Sequence, residues 1–228
     1  MSVLCILFLT SCRDDNKAVK HASVEHEENV YEKIEAKDIR RVKISGNARS
    51  IIIKQDADTA FKFQNADLNA AHTYDVRSSR NGDTLNISVM MKNGEEDNDV
   101  LGSFLIYLPR KEFDVIETAG EFKQIHINPI HSDIFLHADK SVVALHLEAA
   151  KLDHDIVLDG SEANAFKSVS VYFDTVPASI KMEVNPIQNG SIQDPQHILD
   201  NGRLVSGTEK PVIRIHAAKE INLYKENS

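Results

Sequence analysis

Short apolar pairs and triplets with period-two spacing, set apart by clusters of Asn, Asp, Gly, Ser and Lys, run from just beyond Tyr31 to the C-terminal end of the chain. Such alternation sends successive side chains to opposite faces of a strand, so it commits the polypeptide to half-buried β-structure. In the first half it predicts strands at Val42/Ile44, Ile51/Ile53, Phe61/Phe63, Tyr74/Val76 and Leu85/Ile87/Val89. Asn81-Gly82, between the last two, supplies the positive-φ residues of a tight hairpin turn and predicts antiparallel pairing there. Phe104 to Leu108 (FLIYL) is continuously apolar, which predicts burial on both faces, and Pro109 ends it by removing a ladder donor.

In the second half Ile125/Ile127, Ile134/Leu136, Val143/Leu145/Leu147, Ile156/Leu158, Val169/Val171/Phe173 and Ile180/Met182/Val184 recur about every ten residues. Ile213/Ile215 and Ile221/Leu223 resume the pattern after a stretch with Pro186, Gly190, Pro195 and Gly202, read as an irregular loop. Helical periodicity is confined to residues 144–151 and 162–167. The fold class is therefore all-β. Two architectures bury such strands: a β-sandwich of paired hairpins, or a parallel β-helix (solenoid) in which two strands, about 20 to 22 residues, make most of one coil. Short, evenly spaced strands and scarce hairpin dipeptides after about Ile106 favour the solenoid, with some antiparallel hairpin content in the N-terminal half; the sandwich is the alternative.

The N-terminus has a different character. Residues 3–10 (VLCILFLT) are uncharged and apolar, too short to span a bilayer as a helix, and read as the h-region of a signal peptide. Leu9-Thr10-Ser11-Cys12 resembles the lipobox of bacterial lipoproteins, which implies cleavage after residue 11 and acylation of Cys12. Met1-Ser2 departs from that pattern by lacking a basic n-region. Acyl chains at about 0.8 kcal/mol per buried CH₂ would then hold the protein on a membrane. Arg13-Asp14-Asp15 resembles the acidic export signal that sends lipoproteins of Bacteroidetes-type bacteria to the cell surface, or else simply begins a solvated tether. Residues 12–30 are polar, have nothing to bury, and as a flexible coil would reach roughly 20–25 Å. Both cysteines, Cys5 and Cys12, lie in this region, so the body has neither a disulfide framework nor a thiolate metal cage.

Three tripeptides, Asp58-Thr59-Ala60, Asp83-Thr84-Leu85 and Asp174-Thr175-Val176, resemble the O-glycosylation pattern of the same bacterial group and mark Thr59, Thr84 and Thr175 as candidate acceptors. The lipobox, the tether, an opening strand ending in a glycine turn (Val42-Lys43-Ile44-Ser45-Gly46), the Gly82-Asp83-Thr84-Leu85-Asn86-Ile87 hairpin arm, Leu105-Ile106-Tyr107-Leu108-Pro109 and the repeating β-units together resemble the auto-transporter adhesin "head GIN" group of bacterial domains of unknown function. With 9 Gly in all, this chain departs from members that carry a glycine turn in each coil. The resemblance implies a right-handed parallel β-helix and a lipid-anchored surface protein: residues 1–11 a signal peptide, 12–30 the lipidated cysteine and tether, and 31–228 a single adhesin-like domain.

The same stretch carries side chains capable of chemistry. Ten histidines include His126, His131, His137, His146 and His154; His126 and His146 are predicted to face solvent and to stack about one coil apart. His131-Ser132-Asp133 and Asp153-His154-Asp155 carry groups able to bind a cation or orient an acid–base pair, but no motif supplies a further fixed group, and no metal or cofactor is assigned. Asp153, Asp155, Asp159, Asp174, Lys151 and Lys167 are the residues that a polysaccharide-cleaving β-helix would align on one face. The more economical reading is a solvated charged face, and no catalytic residue is assigned. A formal net charge of -9 at pH 7 argues against nucleic acid as a partner.

The sequence reading is thus a non-enzymatic, adhesin-like module on the outer membrane, anchored through Cys12, surface-exposed or else periplasm-facing, with a protein or glycan ligand. A carbohydrate-active β-helical envelope enzyme is the alternative. A deep cleft with convergent carboxylates and a basic group would distinguish the two.

Overall fold

The computed structural model describes residues 34–55, 59–65, 74–92, 102–137, 140–177, 180–199, 203–205 and 211–226. The expected signal peptide, Cys12, the tether and Asp58 lie outside the described residues. The protein is all-β, with strands β1 (Ile34–Glu35), β2 (Arg41–Gly46), β3 (Ser50–Gln55), β4 (Ala60–Asn65), β5 (Tyr74–Asn81), β6 (Thr84–Met91), β7 (Phe104–Leu108) and β8 (Phe113–Gly120). They continue as β9 (Gln124–Ile127), β10 (Ser132–His137), β11 (Val142–Leu147), β12 (Ile156–Asp159), β13 (Ser168–Phe173), β14 (Lys181–Gln193), β15 (Arg203–Val205) and β16 (Val212–Lys225). No helix among the described residues is long and apolar enough to cross a membrane.

The sheet is mixed. Its first ladder, β6-β2-β8-β10-β12-β16-β14, is parallel throughout, and so is the second, β7-β3-β9-β11-β13-β16. Antiparallel pairs sit at the margins: β5 on β6 through the Asn81-Gly82 turn, β4 on β7, β1 on β4, and β15 on β14. Register explains why aliphatic alternation builds one core. In the first ladder Leu85, Val42, Ile116, Ile134, Ile156, Ile213 and Met182 are successive partners, all buried. In the second, Phe104, Ile51, Ile125, Val143, Val169 and Ile221 do the same. Each strand covers its neighbour's apolar row, which no single strand pair could bury alone.

Several local expectations change. β7 is buried on one face only: Phe104, Ile106 and Leu108 face the core, while Leu105 and Tyr107 are half-exposed on the outer face. β8 escapes an alternation search because the register shifts between Ser132/Phe113 and Ile134/Ile116, and its next inward residue is the polar Thr118. Pro186 and Gly190 belong to strand β14 rather than to a loop; β14 pairs β16 across both ladders, with register shifts around Pro186. Proline is tolerated at such an irregularity because no ladder donor is required there. Residues 144–147 are part of β11, followed by a 3-10 turn at Ala149–Lys151, and 162–167 form turns and a single bridge.

Candidate functional site

Turns that enter equivalent strands come together along the stack. Ile134 of β10 pairs with Ile156 of β12, a step of 22 residues, so the turn ending at His131 is stacked on the turn holding Asp153 and His154. Asp133 and Asp155 fasten this corner to backbone: an Asp133 Oδ1 accepts the Asp155 N–H at 3.0 Å, and Asp155 Oδ1 accepts the Val212 N–H at 2.9 Å. His131, Asp153 and His154 thereby bring one ligand-type atom each to within 4.8 Å of one another. His154 Nε2 stands 2.7 Å from Asp153 Oδ1, and the two imidazoles meet edge to face at 6.2 Å. The two tripeptides singled out in the sequence do meet, with the histidines and Asp153 grouped and the other two aspartates holding the chain.

His131 also lines a cavity of about 560 Å³ with Lys54, Gln55, Arg110, Lys111 and Glu148 among its walls. Much of this lining is already engaged. Gln55 donates to the carbonyls of Pro109 and Lys111 and accepts the His131 N–H at 2.9 Å; Lys111 Nζ donates to the carbonyls of Ala36 and Ile39; Glu148 is paired with Lys151.

A second concentration of groups lies on the outer face of the second ladder. His146, Tyr172 and Tyr224 are register partners on β11, β13 and β16. Their rings stack, His146 on Tyr172 at 4.8 Å and 10°, Tyr172 on Tyr224 at 5.4 Å and 24°. His146 Nδ1 meets Glu226 Oε1 at 2.7 Å. Beside the stack the outward row reads His126, Ala144, Ser170, Asn222. Ala144 has too little side chain to fill that row, and a depression remains there, walled by His126, His146, Tyr172, Tyr224, Lys225 and Glu226. Burial pushes the His126 imidazole below its ordinary range, and the neighbouring His146 adds to the shift.

His126 and His146 do not form the expected one-coil stack. The step from β9 to β11 places His126 against Ala144, two residues short of His146. Tyr172 and Tyr224 are not legible as a platform in the sequence because Tyr172 follows His146 by 26 residues and Tyr224 follows Tyr172 by 52, across the segment that holds β14 and β15. On the first ladder, His137 Nε2 contacts Glu117 Oε1 at 3.3 Å, and Lys43 reaches the same carboxylate at 3.1 Å.

The remaining singled-out residues are dispersed. Asp159 lies near His216 at the end of β12, whereas Asp174 Oδ1 accepts the N–H groups of Ala149 and Thr175, both at 2.7 Å. The backbone N–H of Lys167 donates to the Ser141 carbonyl at 2.9 Å. Thr59 and Thr175 are exposed and Thr84 is half-buried; the hydroxyls of Thr84 and Thr175 donate to Asp83 and Asp174 at 3.3 and 3.4 Å.

No family model matches the chain, and no curated protein does. The fold is similar to that of a candidate cell adhesion protein from Clostridium sporogenes, with 13% identity and a TM-score of 0.50 over 86% of this chain and 97% of that one. A candidate adhesin from Bacteroides fragilis aligns at 13% identity with a TM-score of 0.31, over 85% of this chain and 94% of that one. At such identity the first likeness concerns the fold alone, and the second carries no weight.

Proposed function

We propose that this protein is a non-enzymatic, adhesin-like interaction module displayed at the cell surface, whose contact face for a protein or glycan is the His146–Tyr172–Tyr224 stack. The observation that carries the reading is the stack itself: three half-exposed rings held in register on rigid strands. Rings of this kind bring contact area with few rotamers to immobilise, which lowers the entropic cost of recognition. The adjoining depression and the Lys225 and Glu226 side chains supply polar partners at the rim. The adhesion role given to the Clostridium sporogenes protein of similar fold agrees with this reading.

The two parallel ladders wind as a right-handed β-helix, Cys12 carries the lipid that holds the body at the outer membrane, and Thr59, Thr84 and Thr175 are glycan acceptors. Support for the anchor is the Leu9-Thr10-Ser11-Cys12 sequence and the polar tether behind it. A carbohydrate-active enzyme would draw on the cavity near His131, where Gln55 and Lys111 are engaged in holding backbone carbonyls; that engagement favours the non-enzymatic reading.

The test is binding of the parent and of a Tyr172→Ala/Tyr224→Ala variant to an array of glycans and extracellular-matrix proteins. The parent should retain ligands that the variant loses while both release no sugar product; equal retention by the two would refute the contact face. Cys12→Ser should leave the body folded and move it out of the membrane fraction. Unchanged partitioning would remove the anchor.

A further inference from the structure

We infer that His131, Asp153 and His154 form a binding site for a transition-metal dication of the Zn²⁺ class. The donor set is the first reason. Two imidazoles and one carboxylate suit a borderline-soft cation, whereas Ca²⁺ and Mg²⁺ take oxygen-rich shells. The second reason is convergence: one donor atom from each of the three residues lies within 4.8 Å of the others, so side-chain rotations of about an ångström bring them to the roughly 3.3–3.6 Å separation of ligands on a tetrahedral ion at about 2.0–2.2 Å.

The third reason is independent of the clustering. His154 is largely withdrawn from solvent, its side chain 12% exposed, and its Nε2 is buried without a hydrogen-bond partner. Yet Asp153 Oδ1 stands only 2.7 Å away. At that distance a well-directed N–H would make a strong charge-assisted bond, so the contact is close without being aligned. With Nε2 unprotonated, its lone pair and the carboxylate oxygen repel at this distance, and a cation between them turns the repulsion into coordination. An orphaned buried imidazole nitrogen is otherwise a cost with nothing to offset it.

Secondary structure holds the site in place. The parallel pairing of β10 with β12, with the Asp155 N–H on Asp133, fixes the two turns against each other, and the Gln55 amide oxygen holds the His131 backbone. The ion would therefore clip one coil to the next. Three protein ligands leave a fourth position open for water or an external ligand, as in zinc sites that remain exchangeable.

Calorimetric titration of the full chain with Zn²⁺, in parallel with Asp153→Asn and His131→Ala, tests the inference. Asp153 is 74% exposed, so its amide variant retains the fold and separates loss of a ligand from loss of structure. A His126→Ala/His146→Ala variant controls for binding by the histidine pair on the outer face of the second ladder. The parent should bind an equivalent that weakens by at least about tenfold in both ligand variants and persists in the control, since even outer-shell changes at metal sites cost that much. Failure of the parent to bind Zn²⁺, or unchanged affinity and stoichiometry in Asp153→Asn and His131→Ala, overturns it.

Discussion

Gly120 lies against Gly46 in the parallel pairing of β8 with β2, so closely that a Cβ on Gly120 would stand 2.2 Å from the Gly46 carbonyl oxygen. The same holds one strand further, where a Cβ on Gly46 would come within 2.0 Å of the Val89 carbonyl oxygen. Both glycines have positive φ, +156 at Gly120 and +138 at Gly46. The obstacle in each case is backbone, which cannot rotate aside. Gly120→Ala and Gly46→Ala should each lower unfolding free energy by roughly 3 kcal/mol or more, combining backbone strain with displacement of a ladder. Urea denaturation reads this directly, and a loss under about 1 kcal/mol would show that the corner relaxes instead.

Thr118 is the polar interruption in an otherwise aliphatic row. Its register partners are Ile44 and Leu136, and Ile87 and Leu158 follow on either side. The residue is 1% exposed and its hydroxyl oxygen has no hydrogen-bond partner. Valine replaces that hydroxyl with a methyl group of nearly the same size. Thr118→Val should therefore stabilise the protein by about 1–2 kcal/mol, the cost of a buried unsatisfied hydroxyl. A rise in denaturation midpoint with an unchanged slope is the expected result; a fall would mean that the hydroxyl is satisfied in solution.

These residues also mark where the sequence could be read and where it could not. Alternation found the strands whose inward residues are aliphatic and evenly spaced, such as Ile134/Leu136 and Val143/Leu145, because burial on one face writes itself directly into period two. β8 failed that test through a register shift and Thr118. In β14 alternation found Met182 and Val184 but stopped at Pro186 and Gly190, which the strand tolerates where its pairing with β16 shifts register. The site was less legible still. His131 and Asp153-His154 were visible as separate polar turns, but their meeting depends on the pairing of β10 with β12, a relation between distant segments that no local spacing states. Tyr172 and Tyr224 join His146 through inter-strand register in the same way.

Acid should weaken the first ladder through Glu117. Burial raises the Glu117 carboxyl, but the hydrogen bond and charge of Lys43, with a contribution from His137, outweigh it and leave the group below the usual carboxylate range. A carboxyl depressed in the folded state stabilises above its unfolded pKa of about 4.3, and that stability disappears as pH falls through the folded value. Lys43→Met should consequently destabilise the protein at neutral pH by no more than about 1 kcal/mol, because Lys43 is half-exposed. The difference between variant and parent should then shrink as Glu117 protonates in both. Denaturation curves from pH 7 down to about pH 3 would show it; a difference independent of pH would place the effect in packing of the lysine stem.

His126 predicts a second pH dependence, in a higher window. Its imidazole is held below the ordinary histidine range first by burial and then by the nearby His146. Between the depressed folded pKa and the unfolded value of about 6.5, the unfolded chain binds more protons than the folded one, so stability rises with pH across that interval. The contribution is fully present above about pH 6.5 and is lost as pH falls through the folded pKa. His126→Gln removes the titrating group while keeping a polar side chain beside Ala144, and should flatten this part of the stability curve. His146→Gln takes away the neighbouring imidazole and leaves the burial of His126, so it should reduce the slope without abolishing it, because burial is the larger cause. NMR titration of the imidazole resonances provides the site-specific check: the His126 midpoint should move upward in His146→Gln. A midpoint that stays in place would show that the rings on β9 and β11 titrate independently despite sharing one depression on the outer face.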